Sequence, residues 1–196
     1  MLKRSRYVLV MMVGGTGAIA CSRDTANRDE TRATRADTSD VADRPTAVTV
    51  SEGRVGPLQI GMTLAAASAA IAARMDAPPA ADTAACGFAR WTGGPAGLRF
   101  MTARGRLVRI DVDSGAIATD LGVRIGDSEE RVAALYGNRL STTPQKYTAG
   151  HYLTVTVTAS ASADSALRII FETDGKRVTR YRAGRMPEVG YVEGCG

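Results

Sequence analysis

The chain has 196 residues, a formal net charge of +5 and 44% hydrophobic residues. This length is enough for one domain of ordinary size, or for two small repeats that share a core. Without the three basic residues Lys3, Arg4 and Arg6 the net charge falls to +2, so the composition does not indicate a nucleic-acid partner.

The first twenty residues are typical of an export signal. The three basic residues precede an apolar run, Tyr7–Ala20, that ends in small residues, as in secretory signal peptides. The run is too short and too rich in glycine for a transmembrane helix, which needs about 20 apolar residues. We therefore expect residues 1–20 to be a signal peptide that is removed on export.

Residues 17–21, Gly-Ala-Ile-Ala-Cys, resemble a lipobox, the motif read by lipoprotein signal peptidase. The resemblance implies a mature chain that begins at Cys21, with lipid on its thiol and on its new amino group. Each buried CH₂ contributes about 0.8 kcal/mol, so more than one acyl chain anchors a protein stably. Ser22 in place of Asp resembles an outer-membrane lipoprotein, on the periplasmic side, if the bacterium has two membranes. An ordinary signal peptide with a chance cysteine is the alternative.

The segment after Cys21 reads as a linker. Residues 22–50 are rich in Thr, Ala, Asp and Arg and contain no aromatic residue. Such a segment buries too little surface to offset its ordering entropy. We expect residues 21–52 to comprise the lipidated cysteine and a flexible linker of about 30 Å. The folded domain is then expected to occupy residues 53–196, beginning near Gly53.

Two similar stretches predict a repeated unit. The motif Leu-Gln-Ile-Gly-Met-Thr ends at Thr63 and precedes the alanine-rich run Leu64–Met75. The motif Val-Arg-Ile-Gly-Asp-Ser ends at Ser128 and precedes Glu129–Tyr136. Threonine and serine are favoured helix N-caps, so each motif predicts the start of a helix.

A β-hairpin is predicted after each helix. Leu98–Ala103 turns at Arg-Gly into Arg106–Val112, and Leu167–Thr173 turns at Asp-Gly into Lys176–Arg182. Asp-Gly between β-rich runs is a strong hairpin signal. His151–Thr158 alternates apolar and polar residues, which predicts a further strand.

These elements predict an α+β fold. We expect two helix-plus-antiparallel-hairpin repeats, residues 53–115 and 120–196, packed into one domain after a disordered N-terminal tether. Phe88–Trp91 is expected to be the short counterpart of the strand at His151–Thr158. A single amphipathic helix over a small sheet buries little apolar surface, so the two halves should pack together.

The repeated motif resembles small bacterial envelope modules. These include the two-repeat β-lactamase-inhibitor-protein-like domain and the small lipoprotein of the outer-membrane barrel-assembly machinery. The second copy has Asp127 where these modules would have Met. The C-terminal stretch 126–195 also resembles a group of uncharacterised bacterial lipoproteins. The resemblance implies a fold and lends no activity.

Cys86 and Cys195 are the two cysteines that remain besides Cys21. Outside the cytoplasm two such thiols usually pair, so we expect a disulfide between them. Two free buried thiols are the alternative. No histidine or further cysteine is near either one in the sequence, so a metal site is not indicated.

Basic and aromatic residues cluster near the end of the chain. They are Arg177, Arg180, Tyr181, Arg182 and Arg185. Arginine and tyrosine are enriched at interfaces, and the cluster is a candidate binding patch for an envelope protein or an anionic envelope component. The alternative is a solvated sheet face whose arginines pair with neighbouring carboxylates.

Motifs for chemistry are weak. His151 is the single histidine, and no serine lies in a Gly-x-Ser-x-Gly motif. Asp111 and Asp113 share one face of a predicted strand and could hold Ca²⁺, but a polar strand end is the favoured explanation. We therefore expect a membrane-anchored, non-catalytic binding module with no catalytic residue, metal or cofactor. The alternatives are an envelope hydrolase with a dispersed site near His151 and a purely structural lipoprotein.

Overall fold

The computed structural model describes residues 48–77, 86–157 and 164–195. The predicted signal peptide, the predicted lipidation site Cys21 and the linker as far as residue 47 lie outside the described residues. All the described residues belong to one compact unit, Pro45–Gly196.

The described part of the chain is mostly β, with two short α-helices. The strands are β1 (Thr49–Ser51), β2 (Arg54–Val55), β3 (Leu58–Gln59), β4 (Met75–Asp76), β5 (Gly87–Trp91), β6 (Leu98–Ala103), β7 (Arg106–Val112), β8 (Ala118–Thr119), β9 (Leu140–Pro144), β10 (His151–Thr156), β11 (Leu167–Thr173) and β12 (Val178–Arg185). The helices are α1 (Leu64–Ala70) and α2 (Glu129–Tyr136), with 3₁₀ turns at Gly137–Arg139 and Glu188–Gly190.

Eight strands form one antiparallel sheet in the order β4-β5-β6-β7-β12-β11-β10-β9. Its central pair is β7 with β12, where Tyr181 lies opposite Val112 and Ala183 opposite Ile110. A smaller sheet has the order β3-β2-β1-β8, and its β1–β8 pair is parallel. The two predicted hairpins are therefore neighbours in one continuous sheet.

One face of the large sheet, which we call the inner face, packs on the hydrophobic core. Successive side chains of a strand point to opposite faces. Those of Phe100 and Phe171 point to the inner face, where both are fully buried. Tyr136 of α2 lies against Phe171, with ring centroids 5.6 Å apart. The small sheet adds Val50 and Leu58 to the same core. The opposite face of the large sheet, the outer face, carries charged side chains.

Both helices begin at the predicted N-caps. The Thr63 hydroxyl accepts a hydrogen bond from the Ala66 amide at 3.2 Å, and the Ser128 hydroxyl accepts one from the Arg131 amide at 3.3 Å. Each cap satisfies a backbone N–H that has no partner within the helix. The two helix starts are therefore confirmed.

Helix α1 ends at Ala70, before the predicted end at Met75. Ala72 has a φ of +49°, which breaks the helix, and Met75 instead pairs with Trp91 between β4 and β5. The prediction of a longer helix was wrong. Alanine content indicates helix propensity, but it does not show that the residues after Ala72 pair with another strand.

The predicted strands are confirmed with small changes in their ends. Strands β6 and β7 have the predicted bounds, and β12 begins at Val178 and continues to Arg185. In β10, Leu153 and Val155 are buried while Tyr152 and Thr154 are partly exposed, as the alternation predicts.

The domain begins earlier in the sequence than predicted, because the small sheet includes β1. Strand β1 lies before Gly53, inside the segment expected to be linker. Val50 of β1 is fully buried, and its carbonyl accepts a hydrogen bond from the Asp120 amide at 2.9 Å. The composition of residues 22–50 hid this strand because it occupies only the end of a polar segment. With two sheets and two short helices, the fold is only loosely α+β.

Candidate functional site

The last described residues fold back over the outer face. We call residues 186–195 the C-terminal segment. Its 3₁₀ turn, Glu188–Gly190, touches strands β7, β11 and β12. Val189 in this turn is fully buried, so the segment packs on the sheet rather than trailing away from it.

Two buried arginines of the sheet bind the backbone of the C-terminal segment. Arg109 of β7 donates through Nη1 to the carbonyls of Glu188, at 3.0 Å, and Tyr191, at 2.8 Å. Arg182 of β12 donates through Nε to the Val189 carbonyl at 2.6 Å. Hydrogen bonds from a charged donor are stronger than neutral ones, so these three contacts fix the path of the segment.

A disulfide fixes the other end of the segment. Cys195 is bonded to Cys86, just before β5, with the two Cα atoms 5.6 Å apart, as the sequence predicts. Next to it, Gly194 has a φ of +79°, and a Cβ there would lie 3.2 Å from the Phe88 ring. The backbone therefore approaches the aromatic ring closely, and a side chain at Gly194 would be strained.

The charges beneath the segment are paired. Arg109 and Asp111 form an ion pair at 3.0 Å. The Glu172 carboxylate accepts from Arg180 Nε at 2.6 Å and also from Arg182. Arg109, Glu172 and Arg182 are each at most 5% exposed, and burial of such charges is tolerated because each has its counter-ion and its hydrogen bonds.

The solvent side of the C-terminal segment is apolar except for Glu193. Met186, Tyr191 and Val192 are 44%, 44% and 48% exposed. A cleft of about 210 Å³ lies beside Val192, between it and the charged residues Arg99 and Arg180. Tyrosine and methionine are enriched at protein interfaces, so their exposure on a pinned backbone makes this side a candidate protein contact.

The predicted arginine patch is not one surface. Tyr181 points to the inner face, is 2% exposed and donates its hydroxyl to the Ile117 carbonyl at 3.1 Å. Arg182 is buried under the C-terminal segment. Including these two residues in an exposed patch was wrong, because alternation along β12 turns Tyr181 to the inner face and the C-terminal segment covers Arg182.

The three exposed arginines of the patch have acceptors. Arg177 donates to the Gly126 carbonyl at 2.7 Å, Arg180 pairs with Glu172, and Arg185 pairs with Asp164. The arrangement is the one expected of a solvated sheet face with neighbouring carboxylates.

His151 belongs to a polar cluster at the start of α2. Its Nδ1 lies 2.9 Å from Oε1 of Glu129, and the Thr173 hydroxyl donates to the same carboxylate. A hydroxyl nucleophile is activated by a hydrogen bond to the imidazole. Here the hydroxyl and the imidazole both bind the carboxylate, so the cluster ties α2 to β10 and β11 and does not align Thr173 for attack.

The acidic residues of the predicted strand end are also paired. Asp111 binds Arg109, and Asp113 lies 3.3 Å from Arg99. Within residues 48–77, 86–157 and 164–195, no group of three or more His, Cys, Asp or Glu side chains is placed to hold a metal ion. Among the helices of that same part, none has the length and apolar character needed to cross a membrane.

Two pKa shifts mark the junction of the small sheet and α2. Burial raises the pKa of Asp120 above its ordinary value, and the neighbouring Glu52 carboxylate raises it further. Burial raises the pKa of Tyr136 to about 12. The positive charge of Arg139 offsets part of the rise in both pKa values. Its guanidinium donates to Glu52 at 3.0 Å and lies over the Tyr136 ring.

Comparison with protein-family models, curated proteins and solved structures finds no match to the chain. The candidate site therefore depends on the geometry of this chain alone.

Sequence reasoning missed Arg109 and the exposed apolar residues of the C-terminal segment. Arg109 lies between apolar residues in a predicted strand. This is the one local signal that the arginine is buried and hydrogen-bonded. The positions of Met186 and Val192 depend on how the chain end folds back, and no periodicity reports that.

Proposed function

We propose that the chain is a lipid-anchored envelope protein whose domain is a non-catalytic binding module for another envelope protein. The anchor is Cys21, and the recognition surface is the solvent side of the C-terminal segment. The observation that carries the proposal is the exposure of Met186, Tyr191 and Val192 on a backbone pinned by a disulfide and two buried arginines.

Support for the anchor comes from the lipobox-like residues 17–21 and from the distance in sequence between Cys21 and the first strand at Thr49. Intact-mass analysis of the protein purified from its native host tests it. We expect an N-terminal cysteine carrying acyl chains, and we expect Cys21→Ser to leave the membrane fraction. An unmodified thiol at residue 21, or an intact Met1, would contradict the anchor.

A protein partner is favoured over an anionic glycan or lipid surface. The three exposed arginines of the predicted patch, Arg177, Arg180 and Arg185, each bind an acceptor within the domain. Apart from Glu193, the exposed residues of the C-terminal segment are apolar or aromatic, and tyrosine and methionine are enriched at protein interfaces.

Site-specific photocrosslinking in the native host tests the surface. A photoreactive residue at Tyr191 should crosslink to a discrete protein, whereas one at Tyr147 should not. Tyr147 is the control, since it is a tyrosine with 76% exposure in the connection between β9 and β10, outside the C-terminal segment. Equal crosslinks at the two sites, crosslinks to glycan or lipid, or none at Tyr191 would overturn the proposal.

We further propose that the two halves of the domain, residues 53–115 and 120–196, are related by duplication. The sheet order supports this, since β7 and β12 are central and each half continues outward from them. The bridges between Thr63 and Arg106 and between Ser128 and Arg177 also occupy corresponding places. Both halves contribute to a single core, so we expect neither to fold alone.

A further inference from the structure

We propose that the Cys86–Cys195 disulfide is a reducible latch that holds the C-terminal segment on the outer face. When a dithiol reductant opens it, the segment leaves the sheet while the rest of the domain stays folded. The loss of partner binding that would follow depends on the function proposed above; the release of the segment does not.

The segment has few attachments of its own. Apart from the disulfide, its described hydrogen bonds to the rest of the domain are the three from Arg109 and Arg182 to backbone carbonyls and one from the Met186 amide to the Ala166 carbonyl at 2.9 Å. One side chain, Val189, is fully buried. With the disulfide closed, the segment is held at both ends, by β12 and by Cys86. With it open, the segment is held by its connection to β12 and by its hydrogen bonds to Arg109, Arg182 and Ala166, and a segment with so few contacts opens locally.

The sheet beneath has separate support. Strands β7, β12 and β11 pair along most of their length, and their inner faces fill the core with residues such as Ile110, Phe171 and Ala183. The Arg109–Asp111 and Arg182–Glu172 ion pairs join sheet residues to one another. Reduction of the disulfide removes none of these contacts, so the loss of order should be confined to the segment.

The bond is accessible to a thiol. Cys86 and Cys195 are both partly exposed. Cys86 also lines a wide groove of about 890 Å³, with Tyr191 on its wall. Thiol–disulfide exchange requires an attacking thiolate to reach one sulfur, and a groove of this size admits a small dithiol or a thiol on a protein loop.

The reaction balances in two exchanges. A thiolate of the dithiol attacks one sulfur, forms a mixed disulfide and displaces the other cysteine as a thiolate. The second thiolate of the reductant then attacks the mixed disulfide and displaces the remaining cysteine. Each cysteine sulfur takes up a proton, so Cys86 and Cys195 become thiols, and the two-electron oxidation product is the disulfide of the reductant.

Hydrogen-exchange mass spectrometry of the mature chain tests the latch. Oxidised protein, protein reduced with dithiothreitol and the Cys195→Ser variant are compared. We expect peptides from residues 186–195 to exchange about tenfold faster or more in the reduced and variant forms. Peptides from β7, β11 and β12 should exchange as in the oxidised protein. The Cys86→Ser/Cys195→Ser double variant controls for the reductant, and its exchange should not change with dithiothreitol.

Two outcomes would overturn the latch. One is unchanged protection of residues 186–195 after complete reduction, and the other is loss of protection throughout the sheet, which is the mark of a purely structural disulfide. The Tyr191 crosslink, repeated with and without dithiothreitol, separates the two proposals. If no crosslink forms in the oxidised protein, the binding function fails, while the exchange data still decide the latch.

Discussion

Arg182 and Glu172 form an ion pair in the middle of the outer face, with side chains only 6% and 4% exposed. The same carboxylate binds Arg180 on its solvent side at 2.6 Å. Arg182 in turn donates to the Val189 carbonyl. The pair therefore links the sheet to the C-terminal segment, and Glu172 is the common acceptor of the two arginines.

Replacing Glu172 with alanine should destabilise the domain strongly. Breaking a buried ion pair leaves the other charge without compensation and costs about 3–5 kcal/mol. In Glu172→Ala, Arg182 would be left buried with one carbonyl acceptor. We expect urea unfolding, followed by circular dichroism, to have a lower midpoint and a free energy of unfolding reduced by this amount.

Glu193→Ala is the matched control, since Glu193 is an exposed glutamate of the C-terminal segment. Its free energy of unfolding should stay within about 0.5 kcal/mol of the wild-type value. If Glu172→Ala behaves like this control, the buried pair does not hold the outer face.

Much of the sheet is predictable because its strands carry local signals. The hairpin β6–β7 has a turn and alternating residues, and β10 alternates from His151 onward. The helix caps Thr63 and Ser128 are also local, since the hydroxyl of each binds an amide three residues ahead. These features depend on residues that are close in sequence, so they can be predicted from a single sequence.

The site was less predictable because it depends on contacts distant in sequence. Arg109 binds carbonyls about eighty residues further along the chain, and the charge pattern around it does not reveal this. The arginine cluster near Arg180 suggested one surface, yet strand alternation buries Tyr181 on one face and the C-terminal segment buries Arg182 on the other. A cluster of residue types in the sequence does not tell which face of the sheet each side chain occupies.

Gly184→Ala should weaken the central strand pair. A Cβ at Gly184 would lie 2.4 Å from the Val108 carbonyl oxygen and 2.8 Å from the Arg109 Cα, both backbone atoms of β7. Neither atom can move without separating β7 from β12, so we expect a loss of about 3 kcal/mol in the free energy of unfolding. Thermal unfolding measured by calorimetry checks this.

Gly105→Ala is the comparison for that variant. Gly105 lies in the β6–β7 turn with a φ of +69°, and a Cβ there would meet no atom within 4 Å. Only backbone strain remains, at about 1–2 kcal/mol. A larger loss for Gly105→Ala than for Gly184→Ala would contradict the close approach of β7 and β12.

Asp120→Asn should stabilise the domain at neutral pH. Burial and Glu52 raise the pKa of Asp120 above 3.8 in the folded state, so the folded protein binds this proton more tightly than the unfolded chain. Stability from this group is complete below the unfolded pKa and is lost as pH rises through the folded one. Asparagine does not ionise, so the advantage of the variant should be present at pH 7 and absent near about pH 3. Solvent contact of Asp120 keeps the effect small.

Asp174→Asn should show the opposite pH dependence. The backbone amides of Arg177 and Lys176 lower the pKa of Asp174, so its charged form stabilises the fold above pH 3.8. This variant should therefore be less stable than wild type at pH 7 and equal to it at low pH. Melting temperatures of both variants between about pH 3 and pH 8 test the pair, and shifts of the same sign would refute the assignment.

The last prediction concerns His151 and separates a structural role from a chemical one. His151→Ala removes one of the two partners of Glu129 Oε1 and should cost about 1 kcal/mol, the usual value for one hydrogen bond. His151→Asn places an amide donor near the position of Nδ1, so it should recover most of this loss, as measured by thermal unfolding.

An envelope hydrolase with its site at His151 requires a different pattern, because asparagine cannot take up and release the proton that imidazole transfers. In that case both variants would abolish the cellular phenotype of the protein, whereas His151→Asn would melt like wild type. A binding module whose surface lies at Tyr191 predicts instead that His151→Asn keeps both its melting temperature and the crosslink from residue 191. The asparagine variant is therefore decisive, because it preserves the contact with Glu129 and removes only the acid–base chemistry.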